Sequence, residues 1–95
     1  MSAYVVFTRE KTRDSEALAA YSKQARSTLA NHPVKRLAAY GKHEVLEGAA
    51  VEGVVILEFP TLEEAKAWYD SPEYRAAREL RFKGADYRCV IVQGL

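Results

Sequence analysis

The sequence has one cysteine, few prolines, almost no net charge and no long apolar run. The single cysteine, Cys89, excludes an internal disulfide and is typical of a reducing compartment. No apolar stretch approaches the roughly 20 residues that cross a bilayer, and no signal peptide is recognisable. We therefore expect a cytoplasmic protein with no membrane partner.

Charge and metal-ligating residues are also sparse. The 14 basic and 13 acidic residues are spread along the chain and leave a formal net charge of +1, whereas nucleic-acid-binding domains carry clustered basic surfaces. The two histidines and one cysteine lack the spacing of a metal site, and the five dispersed glycines form no phosphate-binding loop. We expect no nucleic-acid partner, no metal and no cofactor.

The chain does contain enough apolar residues for one hydrophobic core. They make up 48% of the 95 residues, and no linker, repeat or low-complexity segment divides them. We therefore predict a single domain over residues 1–95. A core of this size gains stability from association with a second copy.

Apolar patterning predicts the secondary structure. Strands are predicted at residues 4–8, 34–40, 53–59 and 86–93, with a charged loop after the first and an extended loop or hairpin before the third. Asp14 is a predicted N-cap for an amphipathic helix that Pro33 stops. Thr61 and Glu64 have the spacing of a capping box, which begins a second helix.

The element order predicts an α+β fold. With a third helix that Ser71 and Pro72 begin, the chain has the ferredoxin-like order β-α-β-β-α-β: an antiparallel four-stranded sheet with helices on one face. The open face of such a sheet is normally polar. Residues 5–7, 54–57 and 90–92 are nevertheless continuously apolar, so both faces of these predicted strands carry apolar side chains. We therefore predict a homodimer through the sheet face, because an identical sheet is the simplest cover.

Several motifs together resemble a known family. They are Trp-Tyr-Asp-Ser-Pro-Glu-Tyr-Arg at 68–75, Arg81, Glu-Val-Leu-Glu-Gly at 44–48 and the segment at 55–60. The chain resembles the bacterial family called domain of unknown function thirteen-thirty, within the dimeric α/β-barrel superfamily. The resemblance implies a ferredoxin-like protomer and a sheet-to-sheet dimer, and it implies no activity. Related superfamily members include cofactor-independent monooxygenases, haem-degrading enzymes, and isomerases or dehalogenases of small aromatic metabolites.

The chain departs from that family at two places. It has His32-Pro33-Val34 where such proteins usually have a Gly-Gly pair, and Ala39-Tyr40-Gly41 where they often have Arg-Gly-Gly. The usual arginine is therefore absent at Ala39, and His32, Tyr40 or His43 are candidates to replace its polar function.

Arg81 is the main physical anomaly of the sequence. It lies on the same stripe of the third helix as Tyr74 and Ala77, so it is carried inward. An inward guanidinium needs a partner, since it cannot lose its charge. Glu47 or Glu58 could form a structural ion pair with it; alternatively, Arg81 binds a carboxylate or other anionic ligand.

The predicted site is a pocket between helices and sheet that binds a small organic metabolite with a carboxylate or an aromatic ring. The predicted ligand-binding residues are Arg81, Tyr69, Tyr74, Tyr21, Glu47 and His43. In a cofactor-independent enzyme, Glu47 or His43 would be the base and Arg81 would place the anion. The alternative is a non-catalytic stress or interaction module with only a dimer interface. Trp68 is predicted to cover the helix junction or the dimer edge.

Overall fold

A computed structural model describes all residues 1–95. The strands are β1 (Ala3–Thr12), β2 (Lys35–Ala39), β3 (Gly53–Phe59) and β4 (Ala85–Gln93), and the helices are α1 (Ser15–Leu29), α2 (Leu62–Tyr69) and α3 (Pro72–Gly84). All neighbouring strands pair antiparallel in the sheet order β2-β3-β1-β4. The predicted ferredoxin-like architecture is confirmed. None of the helices has both the length and the apolar character needed to cross a bilayer.

Three polar side chains begin the three helices, as the sequence predicts. The Asp14 carboxylate accepts hydrogen bonds from two first-turn N–H groups of α1, and the hydroxyls of Thr61 and Ser71 each accept one at α2 and α3. Pro72 occupies the first position of α3, where no N–H donor is needed. These caps set where each helix starts and therefore which side chains turn towards the sheet.

Removing the cap of α1 should lower stability by a modest amount. We expect Asp14→Ala to reduce the free energy of unfolding by about 1 kcal/mol, because two N–H groups lose their acceptor. Urea unfolding monitored by circular dichroism measures the change. Asp14→Asn is the matched control, since its amide oxygen can still accept these bonds. Equal losses in the two variants would contradict the capping explanation.

The first strand is longer than predicted. Lys11 and Thr12 continue β1 beyond a register shift after Arg9 and pair with the start of β4, where a charged loop was expected. Charged and polar residues are accommodated there because this end of the ribbon lies at the surface, and Arg13 forms an ion pair with Asp86 of β4. The prediction of a loop over these residues was wrong because tertiary pairing overrode the weak β-propensity of Glu10 and Lys11.

The core lies between the helices and the inner face of the sheet. Its buried members from the strands are Ala3, Val5, Phe7, Leu57 and Phe59, and those from the helices are Tyr21, Ala65, Trp68, Tyr74 and Ala77. Trp68 is 1% exposed, and its indole N–H donates to the Thr28 hydroxyl at 3.0 Å. The prediction that Trp68 covers the helix junction or dimer edge was wrong, because α2 is rotated so that Trp68 points into the core.

The other face of the sheet carries a central apolar row. Cross-strand pairing aligns Ala38, Ile56, Val6 and Val90 from one edge of the sheet to the other. The rows on either side contain polar side chains, including Lys35 and Glu58 on one side and Thr8 and Arg88 on the other. At the centre of the sheet the side chains are therefore apolar on both faces, as the sequence indicates. No element of the chain covers the face that points away from the helices.

Candidate functional site

A cavity of about 310 Å³ lies between α1 and the sheet. Its inner walls are the buried side chains of Phe7, Tyr21, Leu57 and Trp68. The exposed residues that line it come from the outer flank of α1 and from the edge strand β2 with the residue after it. The cavity therefore opens to solvent between α1 and β2.

Six elements contribute to the cavity. Helix α1 supplies Tyr21, Ser22, Ala25, Arg26 and Leu29. The strands, the residue that follows β2, and α2 supply Phe7, Arg36, Ala39, Tyr40, Val55, Leu57, Trp68 and Tyr87. Small side chains at Ala25 and Ala39 leave space between the helix and the sheet, while aromatic rings form much of the remaining wall. Such an apolar cavity with a few polar groups is the usual form of a small-molecule site.

A second, larger depression lacks these features. It measures about 450 Å³ and lies where β2 begins and β3 ends, against Ser2, Pro33, Lys35, Glu58 and Pro60, with Val34 and Phe59 as its apolar residues. The Glu58 carboxylate there accepts a hydrogen bond from the Tyr4 hydroxyl at 3.2 Å. The helix-sheet cavity is the better candidate because several aromatic rings and three tyrosine hydroxyls line it, whereas Phe59 is the one aromatic residue of the larger depression.

Tyrosine hydroxyls meet in pairs around the cavity. The hydroxyls of Tyr21 and Tyr74 are 2.7 Å apart, and those of Tyr40 and Tyr87 are also hydrogen-bonded. Burial raises the pKa of Tyr74 to about 12 and raises the pKa values of Tyr21 and Tyr40 further. These phenols stay protonated near neutral pH and can donate hydrogen bonds to a ligand oxygen.

Arg81 has no carboxylate partner. It is 3% exposed, and the ion pairs of the structure join Arg9 to Glu52 and Arg13 to Asp86. The expected ion pair of Arg81 with Glu47 or Glu58 is therefore wrong. The reason is geometric: Glu58 alternates onto the open face of the sheet, and Glu47 lies in the exposed loop before β3.

Aromatic rings surround Arg81 instead. Its guanidinium carbon lies 5.1 Å from the ring centroids of Phe7 and Phe82 and 5.2 Å from that of Tyr87. Nη2 donates a long hydrogen bond of 3.5 Å to the Tyr69 hydroxyl, and Nε is buried without a partner. Cation–π contacts of this kind partly compensate a desolvated cation.

The guanidinium of Arg81 lies behind the wall of the cavity. The rings of Phe7 and Tyr87 line the cavity and also face the guanidinium. Burial raises the pKa values of Tyr21, Tyr74 and Cys89, and the positive charge of Arg81 lowers each of them in opposition. Arg81 is therefore a buried cation beneath the wall of the cavity.

The structure separates the six predicted site residues into two groups. Tyr21 lines the cavity, and the Tyr74 hydroxyl is hydrogen-bonded to the Tyr21 hydroxyl. Arg81 and Tyr69 lie together behind the cavity wall. Glu47 and His43 lie elsewhere, in the exposed loop between β2 and β3, where Nε2 of His43 is 3.0 Å from the Val51 carbonyl oxygen. Neither lines the cavity, so the structure does not bring the predicted bases to the predicted ligand. His32 does not line it either.

Tyr40 forms part of the cavity wall at the end of β2, next to Ala39. Its backbone φ of 60° lies in the left-handed region that non-glycine residues rarely adopt. Its ring occupies the space of an absent side chain, since a Cβ added at Gly53 would overlap the ring. The guanidinium carbon of Arg9 lies 4.8 Å from the ring centroid. Of the three candidates to replace the missing arginine, only Tyr40 lines the cavity.

A side chain at position 53 should displace the Tyr40 ring. We expect Gly53→Ala to break the hydrogen bond between Tyr40 and Tyr87 while changing the free energy of unfolding by less than about 1 kcal/mol, because the half-exposed ring can move into solvent. Aromatic proton chemical shifts measure the displacement. Tyr40→Phe is the control that removes only the hydroxyl. A loss of several kcal/mol in Gly53→Ala would show that the ring cannot move.

Sequence reasoning missed most of the cavity lining, including two aromatic and two charged residues. Tyr87 alternates with Cys89 onto the helix side of β4, a signal available in the strand pattern. Arg26 follows Ser22 by one helical turn on the flank of the apolar stripe. Arg36 and Trp68 gave weaker signals, since the pairing register of β2 with β3 and the rotation of α2 determine their directions.

Comparisons with known proteins agree with this fold. The family model described as a domain of unknown function (DUF1330) matches residues 2–95. A protein of unknown function from Rhodopseudomonas palustris superposes with a TM-score of 0.79 at 19% identity, covering 99% of this chain and 82% of the other. A dimeric ferredoxin-like protein of unknown function from Bacteroides fragilis has a TM-score of 0.63 at 20% identity, covering 98% and 96%. No curated protein matches the sequence.

Some of the similar structures carry an activity in their names. SnoaB, a cofactor-independent oxygenase from Streptomyces nogalater, superposes with a TM-score of 0.64 at 6% identity, covering 99% of this chain and 93% of the other. At these identities the structural likeness establishes the fold alone.

Proposed function

Because the chain belongs to the family of the domain of unknown function DUF1330, whose name specifies no activity, we propose a function from the cavity itself. The protein is a cytoplasmic homodimer, and each protomer binds a small organic molecule with an aromatic or other apolar body between α1 and the sheet. The aromatic cavity of about 310 Å³ is the observation that carries this proposal.

The cavity is suited to an apolar body because its deep part offers rings and its polar groups are few. Phe7 and Trp68 pack edge to face with ring centroids 6.3 Å apart. A ligand in the cavity can therefore contact both an aromatic edge and an aromatic face. The Tyr21 hydroxyl can turn from Tyr74 towards a ligand oxygen and donate a hydrogen bond to it. A ligand would therefore be held by apolar contact and oriented by a phenol.

The dimer proposal depends on the open face of the sheet. Val90 and Val92 are 55% and 52% exposed on that face, beside Val6 and Ile56. A second sheet would bury this apolar surface, and its polar margins would remain at the rim. The Bacteroides fragilis relative is described as dimeric, which supports the same assembly here.

Cofactor-independent oxygenation is a second candidate, supported by the likeness to SnoaB and by the phenols around the cavity. The lining holds neither a carboxylate nor an imidazole, so the chain's residues can polarise a substrate oxygen through a phenol, but they supply no base near neutral pH. Oxygen consumption with any ligand that binds would test this candidate. Binding without consumption would favour a binding protein.

Filling the cavity tests the binding proposal. We expect aromatic metabolites screened at millimolar concentration to raise the melting temperature of the native protein, because a ligand that binds the folded state stabilises it. Ala25→Phe should abolish the shift by occupying the cavity, while Ala19→Phe, on the exposed side of α1, should preserve it. If no aromatic compound shifts the wild type, the proposal fails and the interaction module becomes the better explanation.

A further inference from the structure

All the charged side chains that line the cavity are positive. Two of the residues that line it are charged at neutral pH, and both are arginines: Arg26 of α1 and Arg36 of β2. They come from the two elements between which the cavity opens, and both side chains are exposed. The entrance therefore carries two positive charges and no compensating carboxylate within the lining.

Register explains why Arg36 faces this entrance. Arg36 pairs with Leu57 across β2 and β3, and Leu57 is buried on the helix side of the sheet. Residues paired in this way share a face, so Arg36 extends towards the helix side from an edge strand that α1 does not cover. The register shift that follows Arg36 also brings Ala39 onto the same side, where its small side chain lines the cavity.

Both entrance arginines lack protein partners. Arg9 and Arg13 form ion pairs with Glu52 and Asp86, whereas Arg26 and Arg36 form neither an ion pair nor a side-chain hydrogen bond. The guanidinium fork matches a carboxylate in geometry and charge, and its donors are free here.

From this arrangement we propose that the ligand of the cavity is an organic anion, with its apolar body against the aromatic wall and its acid group between Arg26 and Arg36. The inference rests on the proposed binding function and adds the chemical class of the ligand. Arg81 also favours an anionic ligand, because a buried cation behind Phe7 and Tyr87 makes the interior of the cavity more favourable to negative charge.

The cavity volume limits the body of the ligand. At about 310 Å³ it is at the lower end of ligand pockets, which suits one or two fused rings. The carboxylate 2-naphthoate and its neutral analogue 2-naphthamide share such a body and differ in charge, so they form a matched pair of probes.

Calorimetric titration of the native protein with the two probes tests the inference. We expect 2-naphthoate to bind at least about tenfold more tightly than 2-naphthamide, and its affinity to fall as salt is raised. Arg26→Gln and Arg36→Gln should each weaken 2-naphthoate binding by about three- to fivefold, and the double variant by about tenfold, with 2-naphthamide binding unchanged. Lys23→Gln, which removes an exposed charge of α1 outside the lining, is the control.

The outcomes separate this inference from the binding proposal. Equal affinities for the two probes, both abolished by Ala25→Phe, would overturn the anion inference and leave the binding site intact. A charge preference that Arg26→Gln and Arg36→Gln do not reduce would overturn the assignment of these arginines. Failure of both probes to bind the wild type would overturn the inference together with the aromatic binding proposal on which it rests.

Discussion

Val90→Lys should convert the proposed dimer into monomers. Val90 ends the central apolar row of the open sheet face and is 55% exposed in the protomer, so a lysine there can extend into water and leave the protomer fold intact. In a face-to-face dimer the two ammonium groups would instead be buried without partners. Burial of unpaired charge costs several kcal/mol per ion, so we expect the dimer dissociation constant to rise by at least about a thousandfold.

Sedimentation velocity over a range of concentrations measures this change. Ala67→Lys is the matched control because it adds the same charge at an exposed position of α2, away from the open sheet face. We expect the control to sediment as a dimer and Val90→Lys to sediment as a monomer with an unchanged circular dichroism spectrum. If Val90→Lys is dimeric, the chain associates through another surface.

Arg81→Met should make the protein more stable. The guanidinium is 3% exposed, has no carboxylate partner, and leaves Nε without a hydrogen bond. Replacement of a buried ion pair by apolar side chains of similar volume is often neutral or stabilising by about 1–4 kcal/mol, and Arg81 lacks even the compensating charge of such a pair. The three surrounding rings offset part of the present desolvation cost. We expect a net gain of about 1–2 kcal/mol, or roughly 5–10 °C in melting temperature.

The same variant should bind anions less well. Loss of the buried positive charge behind Phe7 and Tyr87 should weaken 2-naphthoate binding and leave 2-naphthamide binding unchanged. Arg81→Lys is the control that keeps the charge, and we expect it to give no gain in stability. A loss of stability in Arg81→Met would show that the aromatic contacts make Arg81 a structural residue. Greater stability with weaker anion binding would instead show that Arg81 is kept for function.

Much of the fold follows from local signals. The caps at Asp14, Thr61 and Ser71 start the helices where the sequence predicts, because a short polar side chain satisfies free N–H groups wherever the next residues favour a helix. The stripe that places Tyr74 and Arg81 inward is also found, since it depends only on helical periodicity. These features need no knowledge of distant contacts.

The candidate site was less predictable because its members are brought together by register and rotation. Glu47 and His43 are of the residue types that chemistry favours, yet the path of one loop keeps them outside the cavity. Arg36 is on the helix side only because of how β2 pairs with β3, and a shift of one residue would reverse it. Trp68 turned inward rather than to the flank for a similar reason.

The sequence by itself determined the element order, the start of each helix, an open sheet face with an apolar centre, and an arginine directed inward. Each of these depends on periodicity and capping, which act over a few residues. Only the tertiary structure decided that aromatic rings rather than a carboxylate surround Arg81, and that Arg26 and Arg36 line the same cavity. Those relations join residues far apart in the chain, and strand register and helix packing set them jointly.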